Sequence, residues 1–283
     1  MTTTISNVNI SAQINHIGAE LCSLKNNKNK EFIWDGNPAF WGKHSPVLFP
    51  IVGTLKNNRY NYQGKEYNLL RHGFAREIEF QVIEKYENSV TFSLTSSTET
   101  RKVYPFNFEL QICYSVEENK LNIDYKVFNN NNSILPFSIG AHPAFALPKS
   151  FDSYTLAFDN NEVLMSYELE NDLLSDTTRI IEMTDNEVPL RYSLFDKDAL
   201  IFKKLESKSI TILEDNNPML RVRFDNFPNL GIWTKNNAPF LCIEPWVGYS
   251  DTIHTSGNIL EKEGIQLLEA KQSLRYNFSI EIL

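Results

Sequence analysis

Three short segments of this chain carry residue types that could do chemistry. Leu70-Arg71-His72-Gly73-Phe74-Ala75-Arg76 sets a histidine between two arginines, beside a glycine that lets the backbone approach a partner closely. Ile139-Gly140-Ala141-His142-Pro143-Ala144-Phe145 holds a lone histidine among apolar residues and a rigid proline. Leu241-Cys242-Ile243-Glu244-Pro245-Trp246-Val247-Gly248 interrupts an apolar run with one carboxylate next to a large aromatic.

Histidine exchanges protons near neutrality, and a partly desolvated glutamate can be tuned toward the working pH. Two histidines and a carboxylate therefore suffice for general acid–base catalysis, or for a divalent metal site built from His72, His142 and Glu244. Each residue also has a plainer reading. A histidine in an apolar segment is commonly a hydrogen-bonded core residue, and Arg71 and Arg76 could be surface charges or salt-bridge partners. Glu244 resists such a reading, because a glutamate is rarely buried unpaired and an isolated carboxylate is costly to desolvate.

The elements that must position these residues read as strands. Val90, Phe92 and Leu94 alternate with polar residues, as do Phe108 to Val116, Leu121 to Val127 and Leu274 to Ile282. This period of two places one face of each strand on a core. In Leu241-Cys242-Ile243-Glu244 the same rule puts Glu244 on one face with Cys242, and Leu241 and Ile243 on the other. Asn57-Asn58, Glu117-Glu118-Asn119, Asn129 to Asn132, Asn216-Asn217-Pro218 and Asn236-Asn237 mark turns between strands. Helical signal is sparse, with Tyr167 to Asp176 expected to form one or two turns. Ile134 to Pro148, the longest apolar stretch, reads as a buried strand followed by a turn. The expected fold is all-β, a sandwich or barrel of many short strands, over residues 1–283 as one domain.

Composition narrows the function. The net charge of −8, from 35 acidic and 27 basic residues, and the lack of any long Lys/Arg run argue against nucleic acid. The three cysteines form no CxxC pair, which argues against a disulfide framework or structural zinc and favours a reducing cytoplasm. The N-terminal residues lack a secretory pattern, and no run of about 20 apolar residues would span a membrane.

Taken together, Pro46-Val47-Leu48-Phe49-Pro50-Ile51-Val52-Gly53, Arg71-His72-Gly73-Phe74-Ala75-Arg76, Gly140-Ala141-His142-Pro143-Ala144-Phe145 and Glu244-Pro245-Trp246 resemble the aldose 1-epimerase (galactose mutarotase-like) superfamily, most nearly its LacX-like branch. The resemblance covers nearly the whole chain, in family order. It implies an antiparallel β-supersandwich with a sugar cleft on one sheet, and interconversion of sugar anomers by ring opening. It implies Glu244 as the base at the C1 hydroxyl and His142 as the acid at the ring oxygen. His72 would bind the sugar, as would Asp198 or, failing it, Asp196; Trp246 would line the cleft. One departure stands out: Thr54 occupies a position where galactose mutarotases carry arginine, so Arg71 or Arg76 would have to supply that contact. A related branch acting on hexose 6-phosphates also carries His-Gly-Phe-Ala-Arg, and a guanidinium fork suits phosphate. A non-catalytic sugar-binding protein is a further alternative. The implied partner is a small-molecule sugar, with neither metal nor other cofactor, and the chain is expected to act as a monomer or homodimer.

Overall fold

The computed structural model describes residues 1–283. Its strands are antiparallel throughout and gather mainly into two large sheets. A nine-stranded sheet runs in the order Glu187–Pro189, Tyr154–Phe158, Ser209–Glu214, Asn217–Arg223, Ser273–Ile282, Lys120–Asn129, Phe108–Glu117, Ser89–Thr95, Gln81–Lys85. An eight-stranded assembly runs Leu173–Ile181, Leu164–Glu170, Leu200–Phe202, Asn229–Trp233, Phe240–Val247, Ile139–Ala141, Val47–Leu48, and Ala144–Ala146 pairs with Phe240–Val247 as well. Thr2–Ser6, Ile10–Asn15 and Leu21–Asn26 form a separate three-stranded sheet. No helix is long and apolar enough to cross a membrane.

The alternation read from the sequence is realised in the larger sheet. Phe108, Leu110, Ile112, Tyr114 and Val116 are all buried, as are Leu121, Ile123, Tyr125 and Val127 on the neighbouring strand. They meet Leu230, Ile232, Leu241, Ile243 and Val247 of the other sheet in one core cluster of 68 buried residues, which extends from Ile5 to Ile282. Apolar area removed from water between the two sheets is the main force holding the sandwich together. The asparagine clusters fall at turns, where Asn57, Asn58, Asn216 and Asn237 adopt positive φ.

Two local expectations fail. Tyr167 to Asp176 is a β-hairpin rather than a helix, its strands Leu164–Glu170 and Leu173–Ile181 joined through Asn171 and Asp172, both at positive φ. The α-helix in the molecule is Thr98–Val103, opened by a reciprocal cap between Ser97 and Thr100. Ile134 to Pro148 supplies three short strands, Leu135–Phe137, Ile139–Ala141 and Ala144–Ala146. The first pairs outside the large sheets, with Gln266–Leu268, so the chain changes sheets within a few residues.

Candidate active site

All eight residues of the strand Phe240–Val247 are buried, but its two faces differ. Leu241, Ile243 and Val247 enter the main core. Cys242, Glu244 and Trp246 point the opposite way, toward a cavity of about 340 Å³ that Glu244 and Trp246 line. The strand pairs Gly140 with Trp246 on one side of His142, and Ala144 with Cys242 on the other. That common register carries His142 opposite Glu244, at the break Pro143 makes in the ladder. The spacing of 102 residues between them in sequence thus closes to 3.1 Å between His142 Nε2 and Glu244 Oε2.

The indole of Trp246 reaches the cavity because the residues its ring crosses on both flanking strands, Gly140 and Gly231, are glycines. A Cβ at Gly140 would come within 2.6 Å of the Trp246 ring, and one at Gly231 within 2.5 Å. His142 is fixed by aromatic contacts: its ring stacks on Trp41 at 4.8 Å and 27°, and meets the edge of Trp233 at 5.8 Å and 78°. Trp41 and Trp233 both line the cavity. Neither was singled out from the sequence, and the only signal was a tryptophan beside a Gly, Asn or Pro loop.

His72 lies in a turn closed by the Gly73 amide on the Leu70 carbonyl, with φ of +67° at His72 and +69° at Gly73. A positive φ at a non-glycine costs on the order of 1–3 kcal/mol and has to be enforced by its surroundings. Here the Gly53 amide donates to His72 Nδ1 at 3.1 Å, and the His72 amide donates to the Gly53 carbonyl at 2.8 Å. A backbone N–H can only donate, so Nδ1 carries the lone pair and Nε2 carries the proton. The Arg71 Nε contact with His72 Nε2 at 3.3 Å is then a proximity of two donors. His72 Nε2–H is free for a ligand oxygen, 5.9 Å ring to ring from His142.

Asp198 lines the cavity whereas Asp196 is exposed and does not. Its Oδ1 accepts from its neighbour's amide, Ala199, which orients the carboxylate at a positive-φ turn. Arg71 and Arg76 also line the cavity. Arg71 Nη1 is 3.3 Å from Asp172 at the tip of the hairpin. Arg76 donates from Nη2 to the Arg71 carbonyl at 3.0 Å, while its buried Nε has no hydrogen-bond acceptor. Thr54 is not among the cavity residues: its amide donates to Ser250 Oγ, and its hydroxyl is buried and unpaired.

The electrostatics of the floor are set by dryness. Glu244 is 1% exposed, and burial pushes its carboxyl well above the usual range; Asp198 adds to this and Arg71 opposes it. Burial likewise lowers His142 to about 3, reinforced by Arg71 and Arg76, and drives His72 well below its ordinary value. Glu244 Oε2, His142 Nδ1 and Trp246 Nε1 are buried without well-aligned hydrogen bonds, although Glu244 lies 3.1 Å from His142 Nε2 and beside the Trp246 indole, which favours its charged form. Unsatisfied polar groups this deep are unusual in a folded core. A polyhydroxylated ligand would satisfy them. His142 and Glu244 together with Cys242 also form a set of donors that could hold a metal ion.

A family model for aldose 1-epimerase matches residues 1–267. The chain belongs to the aldose 1-epimerase family. Its activity is thus of the sugar mutarotase type, an isomerisation. It is 36% identical to Protein LacX (plasmid) of Lactococcus lactis subsp. lactis over 277 residues, 92% of either chain. Among solved structures it is similar to a galactose mutarotase related enzyme from Lactobacillus acidophilus, with TM-score 0.94 and 34% identity over 100% of this chain and 97% of that one. A galactose mutarotase-like protein from Lactobacillus casei superposes with TM-score 0.95 at 30% identity, covering 100% of both chains.

Proposed function

We propose that this protein interconverts the α and β anomers of a free aldohexose by acid–base opening and reclosure of the sugar ring. The observation that carries this reading is the His142–Glu244 pair, 3.1 Å apart at the floor of a cavity large enough for one monosaccharide. Glu244 takes the proton of the C1 hydroxyl while His142 delivers one to the ring oxygen. The C1–O5 bond breaks, and C1 becomes an aldehyde. Rotation about C1–C2 followed by the reverse transfers gives the other anomer. One proton on the pair serves both directions: an ionic pair accompanies the cyclic sugar, and a neutral pair accompanies the open chain. A dry cavity favours the neutral pair, which lowers the cost of reaching the open-chain state.

His72 Nε2–H and the Asp198 carboxylate supply a donor and an acceptor for sugar hydroxyls, and Trp41, Trp233 and Trp246 supply apolar faces. The chemistry requires neither metal nor redox cofactor, and activity should survive exhaustive chelation. We further propose that the protein works in the cytoplasm as a monomer or homodimer; its three cysteines, all free, are in keeping with a reducing compartment.

Polarimetry on freshly dissolved α-D-glucose and α-D-galactose tests the reading. Mutarotation should run faster with protein than without it, and Glu244→Gln should lose about 10²–10⁴ of the rate. Sugar binding without acceleration would make the protein a sugar sensor instead. Wild-type turnover in a folded Glu244→Gln variant would remove Glu244 from the mechanism.

A further inference from the structure

Beneath the catalytic pair lies a group that the proposed chemistry leaves idle. Cys242 precedes Glu244 by two residues on the same strand face and is fully buried. Its sulfur, a ring nitrogen of His142 and a carboxylate oxygen of Glu244 all lie within 4.8 Å of one another. The plainer account of Cys242 is a small apolar residue packed against Trp34, Ala144 and Phe240. That account explains its burial but not why a sulfur lies within 4.8 Å of two other metal-binding side chains, one of which presents an unpaired oxygen.

We propose that Cys242, His142 and Glu244 form a binding site for a thiophilic divalent cation, zinc foremost, and that occupancy inhibits the enzyme by engaging both catalytic side chains. A tetrahedral zinc ion holds nitrogen, oxygen and sulfur donors at about 2.0–2.3 Å, which sets them about 3.3–3.7 Å from one another. The 3.1 Å between His142 Nε2 and Glu244 Oε2 comes within about 0.2 Å of one such edge. The remaining edges, at most 4.8 Å, close with a movement of up to about 1.5 Å, within reach of a χ1 adjustment at Cys242 and a carboxylate rotation. His142 and Glu244 both line the cavity, so a fourth, exchangeable ligand would enter from that side, as in zinc sites that keep an open position.

Charge favours the same assignment. As the ion binds, the thiol and carboxyl protons leave to solvent. The resulting thiolate and carboxylate neutralise the dication, so no net charge is left in the dry floor. Arg71 and Arg76 oppose a cation, but each already has a carboxylate neighbour, Asp172 at 3.3 Å and Glu77 at 3.5 Å. Imidazole and thiolate favour zinc and its borderline-soft neighbours over magnesium or calcium, which prefer all-oxygen sites.

Binding and inhibition are tested separately, because inhibition rests on the mutarotase reading and binding does not. The full-length protein is dialysed against cobalt(II) chloride and its absorption recorded. One cobalt per chain is expected, with the near-ultraviolet charge-transfer band of a cobalt–thiolate bond. The band should vanish in Cys242→Ala, Cys242→Ser and His142→Asn, all checked for native unfolding profiles, and persist in the Cys22→Ser/Cys113→Ser double variant. Zinc should then inhibit mutarotation stoichiometrically and reversibly. Cys242→Ala should need about tenfold more zinc or above to be inhibited relative to its own uninhibited rate, since even outer-shell changes cost that much affinity. Absence of saturable binding at one ion per chain, or a band that survives Cys242→Ala, overturns the proposal. A wild-type protein that binds cobalt through Cys242 yet has no mutarotase activity leaves the metal site standing and removes the function.

Discussion

The two large sheets face each other across one core, yet they treat polar groups in opposite ways. In the nine-stranded sheet, the long central strands Phe108–Glu117 and Lys120–Asn129 turn apolar residues inward and, the buried Asn129 apart, polar ones outward, with an unbroken ladder of ten residue pairs. In the smaller sheet the strand Phe240–Val247 is covered on both faces, and the face away from the core carries a carboxylate, a thiol and an indole. Its neighbour is interrupted at His142 and Pro143. One sheet spends its sequence on burial alone; the other keeps unsatisfied donors and acceptors at low dielectric, where they interact strongly with whatever enters.

Lys262 and Asp251 are also deeply buried charges, at 3.2 Å, with side chains 2% and 3% exposed. But Lys262 Nζ donates to the Tyr249 carbonyl, and Asp251 Oδ2 accepts from the Lys56 amide at 2.9 Å. That pair is fully engaged and braces the loop behind Ser250. Glu244 and His142 are left partly unengaged, as the proposed role in binding and proton transfer requires.

The two sheets should respond to substitution in opposite ways. Phe108→Ala empties a wholly buried ring site beside Phe49 and should cost about 3–5 kcal/mol of stability, while the folded fraction keeps its turnover. Glu244→Gln should do the reverse: unchanged or raised stability, because a desolvated acid is replaced by a neutral amide, together with the catalytic loss. Denaturant titration and polarimetry on both variants check this. Loss of stability in Glu244→Gln comparable to Phe108→Ala would show that the carboxyl serves the fold.

These two sheets also differ in how far they could be read from sequence. The larger sheet was legible because solvent on one side forces strict alternation. The hairpin around Asn171-Asp172 was not: Leu164–Glu170 and Leu173–Ile181 lie at the sheet edge, where burial is patchy and no clean period survives. Its asparagine–aspartate turn was the unused signal. Glu244 was legible because a carboxylate in an apolar strand demands a reason. Trp41 and Trp233 were not, since an aromatic in a loop or strand end is as readily core as cavity wall. The proximity of Cys242 to His142 depends on a register across 100 residues of chain, which no local pattern encodes.

His142 gives an intermediate effect, in the pH dependence of stability. Its imidazole is lowered from 6.5 to about 3 in the folded protein, so between those values the unfolded chain binds a proton that the folded one does not. Stability therefore falls as pH drops through that window, with His72 acting in the same direction. Glu244 acts oppositely: its raised carboxyl favours the folded state at low pH and loses that contribution as pH rises through the raised value. His142→Asn should lose less stability than the parent between pH 6.5 and 4. Equal losses, measured by urea midpoints, would mean that His142 is solvated in the folded state.

The smallest effect expected is at Arg76, and it bears on which sugar enters. Arg76 and Arg71 reach the cavity wall, while Thr54 makes no contact there. Arg76 has a buried Nε without an acceptor, and its Nη2 donates to the Arg71 carbonyl. A hydroxyl accepting one bond from that partly solvated guanidinium would gain at most about 1.5 kcal/mol, the low end for a bond to a charged group, whereas a phosphate, ionised and able to accept through two oxygens, would gain about 1.5–3 kcal/mol. At about 1.4 kcal/mol per decade, Arg76→Ala should lower kcat/KM for a free aldohexose about two- to tenfold. For a hexose 6-phosphate the same substitution would cost about ten- to a hundredfold. Both guanidiniums already lie beside carboxylates, and the chain carries a net charge of −8, so the protein offers no general attraction for an anionic sugar. The free sugar is accordingly the expected substrate. Steady-state rates for glucose, galactose and glucose 6-phosphate, in the parent and in Arg76→Ala, decide the matter. A preference for the phosphorylated sugar that collapses in the variant would make the arginine wall a phosphate clamp, whereas a small and equal loss on all three would leave it a hydroxyl donor.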